Sequence, residues 1–251
     1  GLAFYNCSGI TEITIPGSVT SIGGSAFEGC KGLTRVNTAS IEAWSKISFG
    51  SGDANPTYYG KKLYVDGKEV TAVTIPEGIT KVSGYAFINC EDITTVTVPA
   101  SAASVGTYAF SGCSSLVNVT LSEGIKTVGG YAFKDCTSLK KITVPKSVTS
   151  IDEYAFQGCT SLEEMTLPFV GMNRTVTGGW TGVFGVIFGH TSSQAEGTVK
   201  QVYGVSSSHY DYYYIPLSLR KVTVTDATQL SCGAFSNCSM LTEININEGI
   251  T

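Results

Sequence analysis

Three stretches of this chain, 93–115, 116–138 and 139–161, repeat one pattern with a period of 23 residues. Each reads L-x-x-V-x-V-P-x-x-V-x-x-V-x-x-Y-A-F-x-x-C-x-x, with small substitutions. Tyr108-Ala109-Phe110, Tyr131-Ala132-Phe133 and Tyr154-Ala155-Phe156 fill one slot, and Cys113, Cys136 and Cys159 fill another. A unit this short cannot bury its apolar face alone, so successive units must stack and share a continuous core. The result is a solenoid, a quasi-linear body in which each coil touches only its neighbours.

Aligning on the first Leu-type residue gives starts at Ile10, Leu33, Val70, Ile93, Leu116, Leu139, Leu162, Leu219 and Leu241. The spacing predicts one domain over residues 1–251, with insertions at 38–69 and 169–217. Within a coil, Val119 and Leu121 alternate with Asn118 and Thr120, the period of a half-buried strand. Pro16, Pro76, Pro99, Pro145 and Pro168 then end the strand, because Pro cannot donate to a ladder. A second, weaker strand is expected over segments such as Val148–Ile151. Ala-Phe-x-x-Cys should close the coil as a 3₁₀ or helical turn, with Phe in the core. The fold class expected is therefore an α/β leucine-rich-repeat solenoid, strand-rich, with right-handed coils stacked into a parallel sheet roughly 40 Å long. Both ends of the sequence fall inside repeats, which predicts a piece of a longer chain.

Composition narrows the function classes. The apolar share of 42% can fill such a core, and a net charge of −4 is the wrong sign for nucleic acid, which needs a basic stripe. No run of about 18 apolar residues is present to span a membrane. Seven of the eight cysteines share one slot (Cys7, Cys30, Cys90, Cys113, Cys136, Cys159 and Cys238), with Cys232 outside it. A slot filled so regularly reads as a packing position, where a reduced thiol acts as a small hydrophobe; the spacing of stacked coils also allows a bridge between neighbours.

The two insertions differ in character. In the first, Ser40 precedes apolar residues at Ile41, Trp44 and Ile47, predicting a short capped helix, and Asp66-Gly67 lies between two strand-like runs, predicting a hairpin. The second is rich in Gly and aromatics. Its Trp180, Tyr210, Tyr212, Tyr213 and Tyr214 are candidate ligand contacts, because binding residues concentrate on loops held by rigid scaffolds. The alternative is that these rings fold against the solenoid as a small core of their own.

Two outward columns are expected on the sheet. One is Glu12, Arg35, Ala72, Thr95, Asn118, Lys141, Glu164, Lys221 and Glu243. In it Lys141 beside Glu164, and Lys221 beside Glu243, are complementary neighbours. The other is Thr14, Asn37, Thr74, Thr97, Thr120, Thr143, Thr166, Thr223 and Asn245. Thr97, Thr120, Thr143 and Thr166 offer hydroxyls to a polar polymer; equally, Thr suits strands and pairs well with Thr next door. Tyr85, Tyr108, Tyr131 and Tyr154 form a further stripe, able either to stack on a ligand or to pack as a ladder with wet hydroxyls.

Catalytic patterns are weak. Adjacent outward positions hold no pair of carboxylates of the kind glycan cleavage requires. The two histidines, His190 and His209, match no metal spacing, and no phosphate-binding Gly loop is present. The expectation is a non-enzyme without cofactor or metal.

The run Ile13-Thr14-Ile15-Pro16 with Val19, Ile22, Ala26-Phe27 and Cys30 resembles the BspA-like leucine-rich repeats, also called Treponema-pallidum-type repeats. Ile41-Glu42-Ala43-Trp44, Leu63-Tyr64-Val65-Asp66-Gly67 and Tyr214-Ile215-Pro216-x-Ser218-Leu219 are similar to insert motifs of that family. The resemblance implies a bacterial adhesion protein at the cell surface or outside the cell, although related repeats also occur in protists. The partner it implies is a host or neighbouring-cell surface protein, a matrix protein or a glycan. It carries over no site residue. A monomer is expected; a stalk displaying other domains is the competing role, and a glycan-cleaving solenoid enzyme the remaining alternative.

Overall fold

The computed structural model describes residues 1–60, 62–175, 179–190, 196–206 and 209–250, giving only the backbone for 203–206 and 209–210. Among them the strands, numbered along the chain, are β1 (Glu12–Ile15), β2 (Ser21–Ile22), β3 (Arg35–Thr38), β4 (Ser48–Phe49), β5 (Leu63–Val65), β6 (Lys68–Glu69), β7 (Ala72–Thr74), β8 (Thr95–Val98) and β9 (Ser104–Val105). They continue with β10 (Asn118–Leu121), β11 (Thr127–Val128), β12 (Lys141–Thr143), β13 (Ser150–Ile151), β14 (Glu164–Leu167), β15 (Thr198–Ser206), β16 (His209–Pro216), β17 (Lys221–Val224) and β18 (Glu243–Ile246). Few residues are helical, and the body is the stacked, strand-rich solenoid that the period predicts.

One sheet face carries parallel pairs in the expected register. Glu12 lies opposite Arg35, Thr97 pairs with both Thr74 and Thr120, and Thr143, Thr166 and Thr223 follow one another across β12, β14 and β17. The second, weaker strands pair as well, β9 and β13 flanking β11. The main face is not the continuous sheet expected. It falls into the segments β1-β3-β5-β6, β7-β8-β10 and β12-β14-β17-β18. At the first break the hairpin of β5 and β6 intervenes, so Asn37 pairs with Tyr64 instead of lying beside Thr74.

The coil-closing turn differs from a helix for a definable reason. Tyr108, Phe110 and Gly112 donate their N–H groups to the next coil, at Gly130, Ala132 and Lys134. Ala109, Ser111 and Cys113 donate to the residue three back in their own coil. Alternate donors are thus spent between coils, which a helix cannot do, while every N–H in the run is satisfied. The geometry needs positive φ at Tyr108 (58°) and Gly112 (76°).

The core follows from this stacking. Phe87, Phe110, Phe133 and Phe156 are buried and stack with centroids 5.3, 5.6 and 5.6 Å apart. Each buried ring contributes about 1.5–3 kcal/mol of transfer free energy, plus roughly 0.5–1.5 kcal/mol per stacked pair. The slot cysteines are free, and Cys30, Cys90, Cys113, Cys136 and Cys159 are buried. Their thiols are satisfied across coils: Cys113, Cys136 and Cys159 donate to the carbonyls of Phe87, Phe110 and Phe133 at 3.3, 3.3 and 3.1 Å. Cys7 and Cys232 are exposed.

The first insertion matches its expectation. Helix α1 (Ile41–Ser45) is capped by Ser40, whose hydroxyl accepts from the Ala43 N–H at 3.0 Å. Asp66 and Gly67 both take positive φ in the β5–β6 turn, as a two-residue hairpin loop requires. The insertion also solves a pairing problem. The carbonyls of Ala86 and Ile88, which face the coil before, are met by side chains. Trp44 Nε1 and Asn55 Nδ2 donate to Ala86 at 2.7 and 3.0 Å, and Thr57 Oγ1 to Ile88 at 2.8 Å.

The second insertion is a coil with a hairpin grown from it. Tyr154 and Phe156 donate to Val186 and Ile187, so residues 184–187 stand where a coil-closing turn belongs. The antiparallel pair β15–β16 docks on this turn through Gln201, which accepts from the Gly185 N–H at 2.6 Å and donates to the Ala234 carbonyl at 3.1 Å.

Candidate binding surfaces

The second break in the sheet lies between β10 and β12. In most coil pairs the carbonyl after the leading Leu-type residue accepts from the next coil. Thr94 accepts from Val117 and Asn118, Lys140 from Glu163 and Glu164, and Glu163 from Arg220 and Lys221. Among the described residues, Val117 O receives no such bond, and no ladder joins β10 to β12. The opening is bounded at both ends. Ser138 N–H reaches Ser114 O at 3.1 Å, and Glu123 accepts from the Lys146 and Ser147 N–H groups at 3.1 and 2.9 Å. Those two donors, Ser147 foremost, hold the Glu123 carboxyl below its ordinary pKa. What remains is a cleft of about 400 Å³ lined by Val117–Thr120 and Lys140–Thr143.

This cleft sorts the threonine column. Thr120 and Thr143 are exposed at its edges, whereas Thr97 and Thr166 sit half-buried in intact ladders. Val117 is 43% exposed. Lys140 and Lys141 at the rim are paired with Glu163 and Glu164 at 3.5 and 2.7 Å. Lys221 meets Glu243 in the same way at 2.7 Å.

The aromatic insertion divides. Trp180 is 43% and Tyr212 37% exposed, Tyr214 is half-buried, and the Tyr210 side chain lies outside the described residues. Tyr213, expected at the surface, is instead buried: it is 1% exposed, with its hydroxyl 3.4 Å from the Trp180 carbonyl. Strand alternation explains the split. Tyr213 and Ile215 face the core with Phe184 and Phe188, while Tyr212 faces out beneath Lys200, whose Nζ is 3.5 Å from the ring centroid.

A family model for the BspA type Leucine rich repeat region matches residues 2–52, 57–173 and 206–251, in 6 copies. The chain belongs to this family. Among solved structures, a leucine-rich repeat protein from Bacteroides ovatus is 22% identical, with a TM-score of 0.50 over 100% of this chain and 64% of that one. The pneumococcal vaccine antigen PcpA is 17% identical, with a TM-score of 0.52 over 96% of this chain and 68% of that one. At these identities the likeness concerns the fold alone. No curated protein matches the chain in sequence.

The BspA-type coil leaves its tyrosine stripe little room for a ligand. Tyr85, Tyr108, Tyr131 and Tyr154 stack face to face, 5.3, 4.5 and 4.7 Å apart and within 10° of parallel. Nothing can slide between rings at that spacing. The outer face of Tyr154 is covered by Gly189, where any β-carbon would strike the ring, and by His190 at 5.6 Å. Burial, with the Glu153 carboxylate next to it, pushes the Tyr154 phenol up to about 12. The stripe is a packing ladder with its edges outward.

No group of three His, Cys, Asp or Glu able to hold a metal occurs among the described residues. No helix there is long and apolar enough to cross a membrane. The BspA-type pattern is broken in sequence at the cleft. Val117 is apolar where other coils place Thr, Lys, Glu or Arg, and Ser122 replaces the strand-ending Pro of the coils on either side.

Proposed function

We propose that this chain is a non-catalytic binding module, carried at a cell surface or outside the cell. It engages a protein or glycan partner through the sheet face at Thr120 and Thr143, with Trp180 and Tyr212 of the insertion as additional contacts. The observation that carries this reading is the β10/β12 cleft, an interruption in an otherwise regular ladder placed on the exposed sheet face. We also read the chain as one solenoid body, since a single buried cluster runs from Ile15 to Met240.

The test is an array of host-matrix proteins and glycans probed with wild type, with the cleft variant Val117→Glu/Thr143→Val, and with Trp180→Ala/Tyr212→Ala. Binding lost in either folded variant supports the reading and locates the site. A second reading, a stalk that displays other domains, is favoured by the buried Tyr213 and the stacked Phe and Tyr ladders. It expects no binding by any of the three proteins.

A further inference from the structure

We propose that the β10/β12 cleft binds a neutral saccharide of one or two rings. This rests on reading the chain as a binding module and specifies its ligand class.

The cleft displays the backbone groups of a ladder that was not formed. In a parallel strand, alternate residues turn both N–H and C=O to the same side. Asn118 donates to Thr94, so it faces β8, and Val119 therefore faces β12. Lys140 accepts from Glu164, so it faces β14, and Lys141 and Thr143 therefore face β10. Left without a partner, such groups lose a net stabilisation of roughly 0.5–1.5 kcal/mol per bond, and more where water is excluded. A ligand that supplies both donors and acceptors recovers it.

An inserted strand is the obvious occupant, and the geometry rules it out. Placing a strand between β10 and β12 requires them to stand about 9.6 Å apart, two strand spacings. The same two coils are held one spacing apart elsewhere. Thr127 pairs with Ser150, Tyr131 stacks on Tyr154 at 4.7 Å, and Phe133 on Phe156 at 5.6 Å. The coils therefore splay only at the sheet edge. The cleft is a wedge of about 400 Å³, within the range of small-ligand sites of about 300–1,000 Å³.

The lining selects among small ligands. A sugar hydroxyl both donates and accepts, so a polyol suits a mixed edge of N–H, C=O, the Thr120 and Thr143 hydroxyls and the Asn118 amide. Val117 and Val119 offer an apolar floor to the C–H face of a ring, Val117 being 43% exposed. The rim lysines are already neutralised by Glu163 and Glu164, which removes the attraction an acidic sugar would need.

The experiment uses an array of neutral oligosaccharides (cellulose, xylan, chitin and starch fragments), uronic-acid oligosaccharides and matrix proteins. It is followed by titration of any hit by NMR. Asn118→Cys/Lys141→Cys provides a reversible closure, because these are register neighbours across the cleft: oxidation shuts it and reduction reopens it. The expected result is binding of a neutral oligosaccharide by the wild type, insensitive to salt, and, within the double-cysteine variant, binding at least 10-fold weaker in the oxidised form than in the reduced form. Val117→Glu, at an exposed site, should give the same loss without crosslinking. Binding only to acidic sugars, or sugar binding unchanged by closure, overturns the proposal. Binding to a matrix protein and no sugar overturns it while leaving the binding-module reading standing. Binding to nothing on the array overturns both.

Discussion

A β-carbon on Gly112 would fall well inside van der Waals contact distance of Asn89 Oδ1 in the preceding coil. The same holds for Gly29 against Asn6 and for Gly158 against Asp135. All six residues have positive φ. An Asn or Asp side chain in one coil thus projects over the next, which must be Gly. Gly112→Ala should therefore cost about 1–3 kcal/mol from overpacking and backbone strain together. Asn89→Gly in the same chain should restore part of the loss. A double-mutant cycle by urea unfolding checks this, and additive costs would contradict the clash.

Asn55 and Thr57 replace the backbone donors that a regular coil would offer to Ala86 and Ile88. Thr57→Val leaves the Ile88 carbonyl unmet and Asn55→Ala leaves the buried Thr57 N–H unmet, and each should lower stability by about 1–3 kcal/mol. Hydrogen exchange should rise at 85–90 while the coil at 139–161 keeps its protection.

The thiol ladder makes the protein sensitive to alkali. Burial pushes Cys90 and Cys159 up to about 12 from an ordinary value of 9.0, and raises Cys113 and Cys136 well above it. The folded state holds these protons more tightly than the unfolded chain does. Their stabilisation is therefore complete below pH 9 and is lost as pH rises from about 9 towards 12. Thermal melts between pH 7 and 11 should show a falling midpoint. At pH 8, Ellman's reagent should label Cys7 and Cys232 quickly and the five buried thiols only on unfolding.

Adjacent tyrosines in β16 should behave oppositely. Tyr213→Ala empties a buried site and should cost about 3–5 kcal/mol, the range for large aromatic truncations. Tyr212→Ala and Trp180→Ala remove exposed rings and should shift stability by roughly 0.5 kcal/mol or less. Melting of the three variants checks this. Only the latter two variants give a fair test of binding by the insertion.

Much of the fold was legible because the repeat makes each position report several times. Phe at 87, 110, 133 and 156 declared the core, the Thr column declared register, and Ser40 and Asp66-Gly67 declared the helix cap and hairpin of the first insertion. These are local rules, enforced by propensity and period within a few residues. The second insertion was less legible, since Gly185 as a docking platform and Gln201 as its clasp lie in different segments and carry no shared pattern.

The amino-acid order alone determined the stacked solenoid, the shared cysteine slot and the outward columns, because a 23-residue period leaves one way to bury the apolar face. The tertiary structure decided which column positions are open, which tyrosines are spent on one another, and that Tyr213 is core while Tyr212 is surface. Those outcomes depend on how neighbouring coils meet. A missing rung between β10 and β12 arises from the fit of two coils, and a single coil's sequence does not contain it.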